Sequence, residues 1–512
     1  MSPVPSHLTA AKASDLDTQK GRFLYRIFEI IPGALVWGTF ALAVLASWLF
    51  PVFVSFFILC FVLYWLLRVL YFALHLRSGY RKTREHEKID WLQKVKSMKN
   101  WEEIYHLVVV PTYEEPIEVL RETFDGLRRS DYPKDKMIVV LGIEERAGEK
   151  GKAWAQAVSQ EFGKDFFRFL TTTHPANLPG EIAGKGSNET WAQKRAKAEI
   201  VDPLGIPYEH IIVTSLDADT VVSPKYFSCL AYHYATSPDP LRHSYQPVPL
   251  FINNIWQASV PSRLFAFATT FWFLMNQERP EKLSTFASHS MPFKTLVEVG
   301  YKQVNYAVDD SRIFWQCFLH YSGNYSVQAL YYPVSMDANA APTFLGTVRN
   351  IYRQQLRWAY GVADIPYFAY GFVQNKDIPL KRKFSLALDR IESYWSWATA
   401  SLLIFFLGWL PLTLGGQAFT QTLLSYNLPR LTSWILTVMM VGLVWSVYLS
   451  LVFLPPRPPE YGKWHFVWLA LQWIFLPPIM ISFAIPALHA QTRLMLGRYM
   501  GFWPTPKFRT QK

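Results

Sequence analysis

Carboxylates stand at the ends of three short apolar runs in this chain. Pro111-Thr112-Tyr113-Glu114-Glu115 follows the run 104–110, Glu144-Glu145 follows 137–142, and Asp217-Ala218-Asp219 follows 210–215. Acids brought to one edge repel each other unless a cation sits among them, and hard oxygen ligands select Mg²⁺ or Mn²⁺. An ion held by one or two carboxylates takes its remaining ligands from water and phosphate oxygens. Gly184-Lys185-Gly186 precedes a helical run and adds backbone N–H groups and an ammonium suited to a diphosphate. The chemistry implied is the binding of a nucleotide diphosphate compound, with Asp217 and Asp219 as candidate metal ligands. Each piece also has a plainer reading. Asp-x-Asp can close a strand as a polar turn, Glu114-Glu115 can serve a helix dipole, and a Gly-Lys-Gly loop needs no ligand.

Two later elements add to this set. Asp309-Asp310 opens the apolar-rich helical run 311–319, where Asp is also a good N-cap. Gln354-Gln355-Leu356-Arg357-Trp358 places Gln354, Arg357 and Trp358 at i, i+3 and i+4, one face of a helix. Arg binds phosphate with two bonds, and Trp offers a flat platform for a sugar ring. The competing reading is a basic amphipathic helix at a membrane surface, which Arg349 and Arg353 also suit.

Elements able to position these groups are legible around them. The runs 104–110, 137–142 and 210–215 are rich in β-branched residues, as buried parallel strands are, and 166–170 is a weaker fourth. Ile117, Leu120, Phe124 and Leu127 recur at helical spacing, and 188–200 forms a second helical run. Strands alternating with helices predict an α/β fold with a doubly wound, mostly parallel sheet over 90–390. Such sheets bind ligands beyond the carboxyl ends of their strands. The apolar piece 264–275 is too short to span a bilayer and belongs in a core or at the membrane surface.

Composition frames this domain in a membrane. The 512 residues are 51% hydrophobic, 16% aromatic and 18% charged, against about 25% charged in an ordinary soluble domain. The net charge of +12 is accounted for by basic residues flanking apolar spans, which favours the cytoplasmic side and not nucleic acid. Three cysteines, Cys60, Cys229 and Cys317, exclude a disulfide scaffold and read as free thiols. The expected organisation is a tail over 1–30, a transmembrane hairpin over 31–76 turning near 48–51, and a cytoplasmic α/β domain over 77–345. Interfacial helices over 346–392, spans over 393–490 and a basic tail over 491–512 follow. A transporter would carry ionisable residues within its spans, and apart from Arg68 the clear candidates lie between them. Apolar stretches near 395–414, 431–454 and 466–490 are each long enough to cross. Three crossings put the C-terminus outside, whereas Arg493, Arg498, Lys507, Arg509 and Lys512 argue for inside. Pro477-Pro478 breaks the last stretch, and broken segments are tolerated where protein covers them.

Taken in order, P-T-Y-x-E, G-K-G, D-A-D, an acidic pair before a helix, and Q-Q-L-R-W resemble the membrane-embedded family 2 glycosyltransferases. These include the processive cellulose, chitin and hyaluronan synthases. The resemblance implies a nucleotide-sugar-binding α/β domain of glycosyltransferase A type between N- and C-terminal transmembrane helices. It also implies inverting hexosyl transfer from a nucleotide-sugar, with a UDP-sugar favoured, to a growing polysaccharide, with coupled export and an export partner unidentified. Asp217 and Asp219 match its metal and diphosphate motif, Asp310 its general base, and Lys185 a basic residue near the nucleotide. Gln354, Arg357 and Trp358 match the element that holds the diphosphate and borders a glycan or glycolipid acceptor. Thr112 and Glu114 or Glu115 border the nucleoside. Glu144-Glu145-Arg146 replaces an Asp pair that reads the base, and Val308-Asp309-Asp310 replaces Thr-Glu-Asp. The segment 286–290 replaces an acceptor loop, making His289 and Ser290 acceptor candidates. The implied location is an inner or plasma membrane among its lipids, with the domain cytoplasmic. A non-processive transferase acting on a lipid-linked acceptor and a non-catalytic nucleotide-sugar-binding scaffold are the alternatives.

Overall fold

β1 (Tyr105–Thr112) is buried from His106 onward and β2 (Met137–Glu144) along its whole length, so both need apolar cover on two faces. They pair in parallel with Val108 opposite Val139. β3 (Arg168–His174) and β4 (Ile211–Ser215) extend the parallel set on either side. The computed structural model describes residues 6–509; Lys512 and the first five residues of the expected tail lie outside that range. The sheet continues through β5 (Val221–Val222), β6 (His243–Leu250), β7 (Ser290–Pro292) and β8 (Ser326–Ser335) in the order β3-β2-β1-β4-β7-β6-β8-β5. β7 runs antiparallel to β4 and β6, whereas β6 and β8 are parallel. The result is the expected α/β sheet, mostly parallel, with a mixed half that periodicity does not reveal.

Helices cover both faces. Ile117–Arg128 buries Ile117, Leu120, Phe124 and Leu127, the residues its spacing predicts. Phe124 packs 5.7 Å from Phe162 of the helix Gly148–Phe162. On the other face Lys185–Ala196 lays Ala192 and Ala196 against the strands. Asn188 pins that helix to the strand ends, donating to the carbonyls of Gly142 (2.9 Å) and Thr112 (3.4 Å). The expected helix 188–200 thus begins earlier, at Lys185, and its last part winds as a π-turn over Lys197–Val201.

Among the described residues, four helices are long and apolar enough to cross a membrane: Gln19–Leu49, Pro51–Lys88, Leu423–Val452 and His465–Met495. Leu380–Phe405 and Leu407–Leu414 qualify together, bent by 47°. The first two form a hairpin joined at Phe50, and the first begins at Gln19, inside the segment expected as a tail. Arg68 pairs with Glu392 across two helices. The helix Val260–Gln277, which contains the short apolar piece 264–275, packs on Pro51–Lys88, with Leu274 O against Gly79.

Candidate active site

The carboxyl ends of β1, β2 and β4 meet the starts of two helices. At the end of β1 the Thr112 hydroxyl and the Tyr113 N–H both donate to Glu115 Oε2 at 2.7 Å, so Glu115 closes the turn and Glu114 is exposed. Glu144, 5% exposed, accepts from Arg146 Nε at 2.9 Å, and the guanidinium lies 4.8 Å from the Tyr113 ring centre. Past β4, Asp217 and Asp219 diverge to different cations. Asp217 Oδ1 is 2.5 Å from Lys185 Nζ. Asp219 is fully buried and accepts from the Asp337 N–H at 3.0 Å and from Lys507 Nζ at 2.5 Å. Its other oxygen, Oδ1, has no partner. Burial raises the Asp219 carboxyl above its usual range, with Lys507 opposing.

Asp309 and Asp310 begin the helix Asp309–His320 but cap nothing; Val308 holds the N-cap position. Both carboxylates turn to lysines. Lys185 Nζ donates to Asp310 Oδ1 and Oδ2 at 3.1 and 3.0 Å. Lys302 Nζ donates to Asp310 Oδ1 at 2.9 Å, Asp309 Oδ2 at 3.1 Å and Glu189 Oε2 at 2.5 Å. Burial alone raises the Asp310 carboxyl, but the two ammoniums outweigh it and hold it well below the usual carboxylate range. His289 lies 3.8 Å from Asp310 Oδ1 and shares Nδ1 with the Phe286 carbonyl. Burial, aided by Lys302, pushes its imidazole down to about 3; its Nε2 is buried without a partner. Ser290 is not brought to this cluster: its hydroxyl bonds Thr214 and Tyr226 inside the sheet.

Gln354, Arg357 and Trp358 share the helix Phe344–Ala359 as the spacing requires. Arg357 lies with its guanidinium 4.9 Å from the Phe502 ring centre; burial lowers it, with Asp217 and Asp310 opposing, and its Nε lacks a partner. Gln354 Oε1 accepts from Asn339 Nδ2 at 2.9 Å. Trp358 sits among Phe265, Phe286 and Phe251, with ring centres 5.3, 5.6 and 6.4 Å away. The first turn of the same helix exposes Phe344, Leu345 and Val348, so the amphipathic reading fits one end and the buried-site reading the other.

Three participants lie outside the sequence reading of the site: Glu189, Lys302 and the C-terminal segment. Glu189 shares a helix face with Lys185 at i, i+4, a signal that was available. Lys302 comes from a loop with no local mark. The segment after Met495 crosses the site. Phe502 packs on Gly184 and lies 4.9 Å from the Arg357 guanidinium, Lys507 reaches Asp219, and Arg509 donates to Asp337 at 2.7 and 3.1 Å.

A divalent ion has two places to be considered. Ligand oxygens of Glu189, Asp309 and Asp310 lie within 4.8 Å of one another, but the Lys302 ammonium already bonds all three. Asp217 and Asp219 offer other hard oxygens, which suit such an ion; each also meets a lysine, Lys185 and Lys507, and Oδ1 of buried Asp219 is the oxygen left without a partner.

No protein-family model and no curated protein matches this chain. Among solved structures it is similar to the mannosyltransferase PcManGT from Pyrobaculum calidifontis, in complex with GDP-Man and Mn²⁺. That match has 15% identity over 84% of this chain and 99% of the other, at a TM-score of 0.43. It is also similar to S. aureus TarS 1–349 in complex with UDP-GlcNAc, with 12% identity over 77% and 93% of the two chains and a TM-score of 0.37.

Proposed function

We propose that this protein transfers a sugar from a nucleotide diphosphate sugar to an acceptor at the membrane surface, with inversion at the anomeric carbon. One observation carries the reading: Lys185 Nζ bridges Asp217 and Asp310, joining the candidate diphosphate end of the site to a half-buried carboxylate. Asp310 is the general base, ionised at neutral pH and able to take the proton of an acceptor hydroxyl. Lys185 and Arg357 offset charge on the departing diphosphate. Asp217 and Asp219 would hold Mg²⁺ or Mn²⁺, which supplies further positive charge beside that leaving group. Thr112, Glu144 and the Arg146–Tyr113 stack border the nucleoside, and His289 borders the acceptor.

A growing glycan is the acceptor that the Gln354–Trp358 motif favours. A single transfer to a lipid acceptor is the second reading, favoured by the aromatic wall of Phe251, Phe265 and Phe286 around Trp358. The test is nucleoside diphosphate release by detergent-purified protein with UDP- and GDP-sugars and Mg²⁺ or Mn²⁺, with membrane lipids present and product size read on a gel. Asp310→Asn is expected to slow transfer by about 10²–10⁴-fold, and Arg357→Ala by about a hundredfold or more. Nucleotide binding without release, with both variants no different from wild type, would turn the reading to a non-catalytic scaffold; release at equal rates in all three would remove Asp310 and Arg357 from their assigned roles.

A further inference from the structure

Lys302 is fully enclosed, yet its ammonium is surrounded by carboxylates from two helices. An ammonium has three N–H donors, and here they meet three acceptors: Glu189 Oε2, Asp309 Oδ2 and Asp310 Oδ1. Its turn is built at some cost. Gly300 and Tyr301 are both left-handed, at φ 82° and 69°, and for tyrosine that conformation is strained. The turn is held by side chains of the neighbouring helices. Gln316 Nε2 donates to Tyr301 O at 3.2 Å, Thr190 Oγ1 donates to Lys302 O at 3.1 Å, and Gln316 Oε1 accepts from the Gln303 N–H at 3.2 Å. A strained, pinned backbone aims this one side chain at the acid cluster.

The two lysines hold Asp310 differently. Lys185 touches both Asp310 oxygens and is also 2.5 Å from Asp217, so it faces the candidate diphosphate subsite. Lys302 touches Oδ1 alone among the Asp310 oxygens and is anchored from behind by Glu189 and Asp309. On the glycosyl-transfer reading above, a donor diphosphate competes for Lys185. Oδ2 then becomes free to accept a proton, while Oδ1 stays fixed.

We infer that Lys302 is a positioning residue for the transfer step: it clamps Oδ1 of the general base Asp310, so that Oδ2 faces the acceptor hydroxyl once Lys185 serves the donor. Glu189 and Asp309 are the struts of that clamp, and the inference rests on the proposed transferase activity. A base displaced by about 1 Å loses on the order of a hundredfold in rate, and partners that orient a catalytic group are worth about 10–100-fold.

The experiment measures kcat and donor KM for Lys302→Met, Lys302→Arg, Lys185→Met and the charge-balanced double variant Glu189→Gln/Lys302→Met, with thermal melting of each in detergent. Lys302→Met is expected to lower kcat by about 10–100-fold with donor KM within about twofold of wild type, and Lys302→Arg to recover part of it. Lys185→Met is expected to raise donor KM instead. The double variant, relieved of the unpaired Glu189 charge, is expected to melt near wild type and to remain slow. Unchanged kcat in Lys302→Met, or a double variant that regains both melting temperature and kcat, overturns the clamp and leaves the transferase standing. No release by wild type from any donor overturns the transferase reading, and the clamp falls with it.

Discussion

Histidines buried without charge make this protein sensitive to acid at the level of single residues. His106, in β1, is fully buried between Tyr132 and Phe227, with ring centres at 4.5 and 4.9 Å, and burial pushes it down to about 3. His233 is pushed down to about 4, by burial first and then by His86 and Lys94. In the unfolded chain both titrate near 6.5. As pH falls from 6.5 towards 4, the unfolded state takes up protons that the native state refuses, so stability falls with pH. Each group contributes a slope of up to about 1.4 kcal/mol per pH unit. Melting temperature is therefore expected to drop between pH 7 and pH 4.5, and His106→Phe to make that drop shallower; a parallel drop in the variant would assign the acid sensitivity elsewhere. The same scale shows how far the candidate site was legible. Asp217, Asp310, Lys185 and Arg357 stand out because acids at strand ends and a basic helix face are local patterns. Lys302 does not, since a lysine and a glutamate 113 positions apart have no mark until the fold joins them; Glu189 is marked only by its i, i+4 spacing from Lys185.

Elements meet at this site through glycines. A Cβ added at Gly186 would lie 2.9 Å from Asp309 Cβ, and one at Gly184 would lie 2.5 Å from the Phe502 ring. The Gly184-Lys185-Gly186 turn reads in sequence as a phosphate-binding loop. In the fold its glycines also let the helix Lys185–Ala196 approach the Asp309–His320 helix and the C-terminal segment. Gly186→Ala must push the two helices apart at Asp309, moving Asp310 relative to Lys185. We expect kcat to fall about tenfold to a hundredfold with the protein still folded, as judged by melting; wild-type kcat would mean that the contact is slack. Strands β1, β2 and β4 were legible because burial on both faces makes continuous β-branched runs. β6 and β8 were not: Pro247, Pro249 and Pro333 interrupt them, and proline argues against a strand within a sheet. β7, with three residues, is too short to carry a pattern.

For the whole molecule, the contacts at the two ends of the last helix bear on the conflict between three C-terminal apolar stretches and a basic tail, and they lead to a prediction. The hairpin tip at Phe50 marks the side away from the α/β domain, and Gly415 packs there, against Pro51. From that side Leu423–Val452 returns to the domain, where Trp256 Nε1 donates to Pro455 O at 3.3 Å. His465–Met495 then starts beside the domain, with His465 5.9 Å from Trp256. Past its end the Tyr499 hydroxyl donates to Glu29 of Gln19–Leu49 at 3.0 Å, and Lys507 reaches Asp219 of the domain. Between its ends it packs on Val260–Gln277, with Trp473 on Phe271 and Phe483 on Phe265, and along Leu380–Phe405 and Gln19–Leu49, with Trp397 Nε1 donating to Phe483 O at 3.1 Å and Gly33 against Met495. This helix satisfies the length and composition of a span, yet both of its ends meet the same side of the molecule; the prediction is that it does not cross and that the basic tail keeps the side its charge favours. Single cysteines at Glu85, Gln417 and Gly501, in a chain with Cys60, Cys229 and Cys317 replaced by serine or alanine, test this in sealed vesicles with an impermeant maleimide. Glu85→Cys and Gly501→Cys should label from the same side and Gln417→Cys from the opposite one. Labelling of Gly501→Cys together with Gln417→Cys would mean that the last helix crosses the bilayer, and the contact between Lys507 and Asp219 would then be impossible in the membrane.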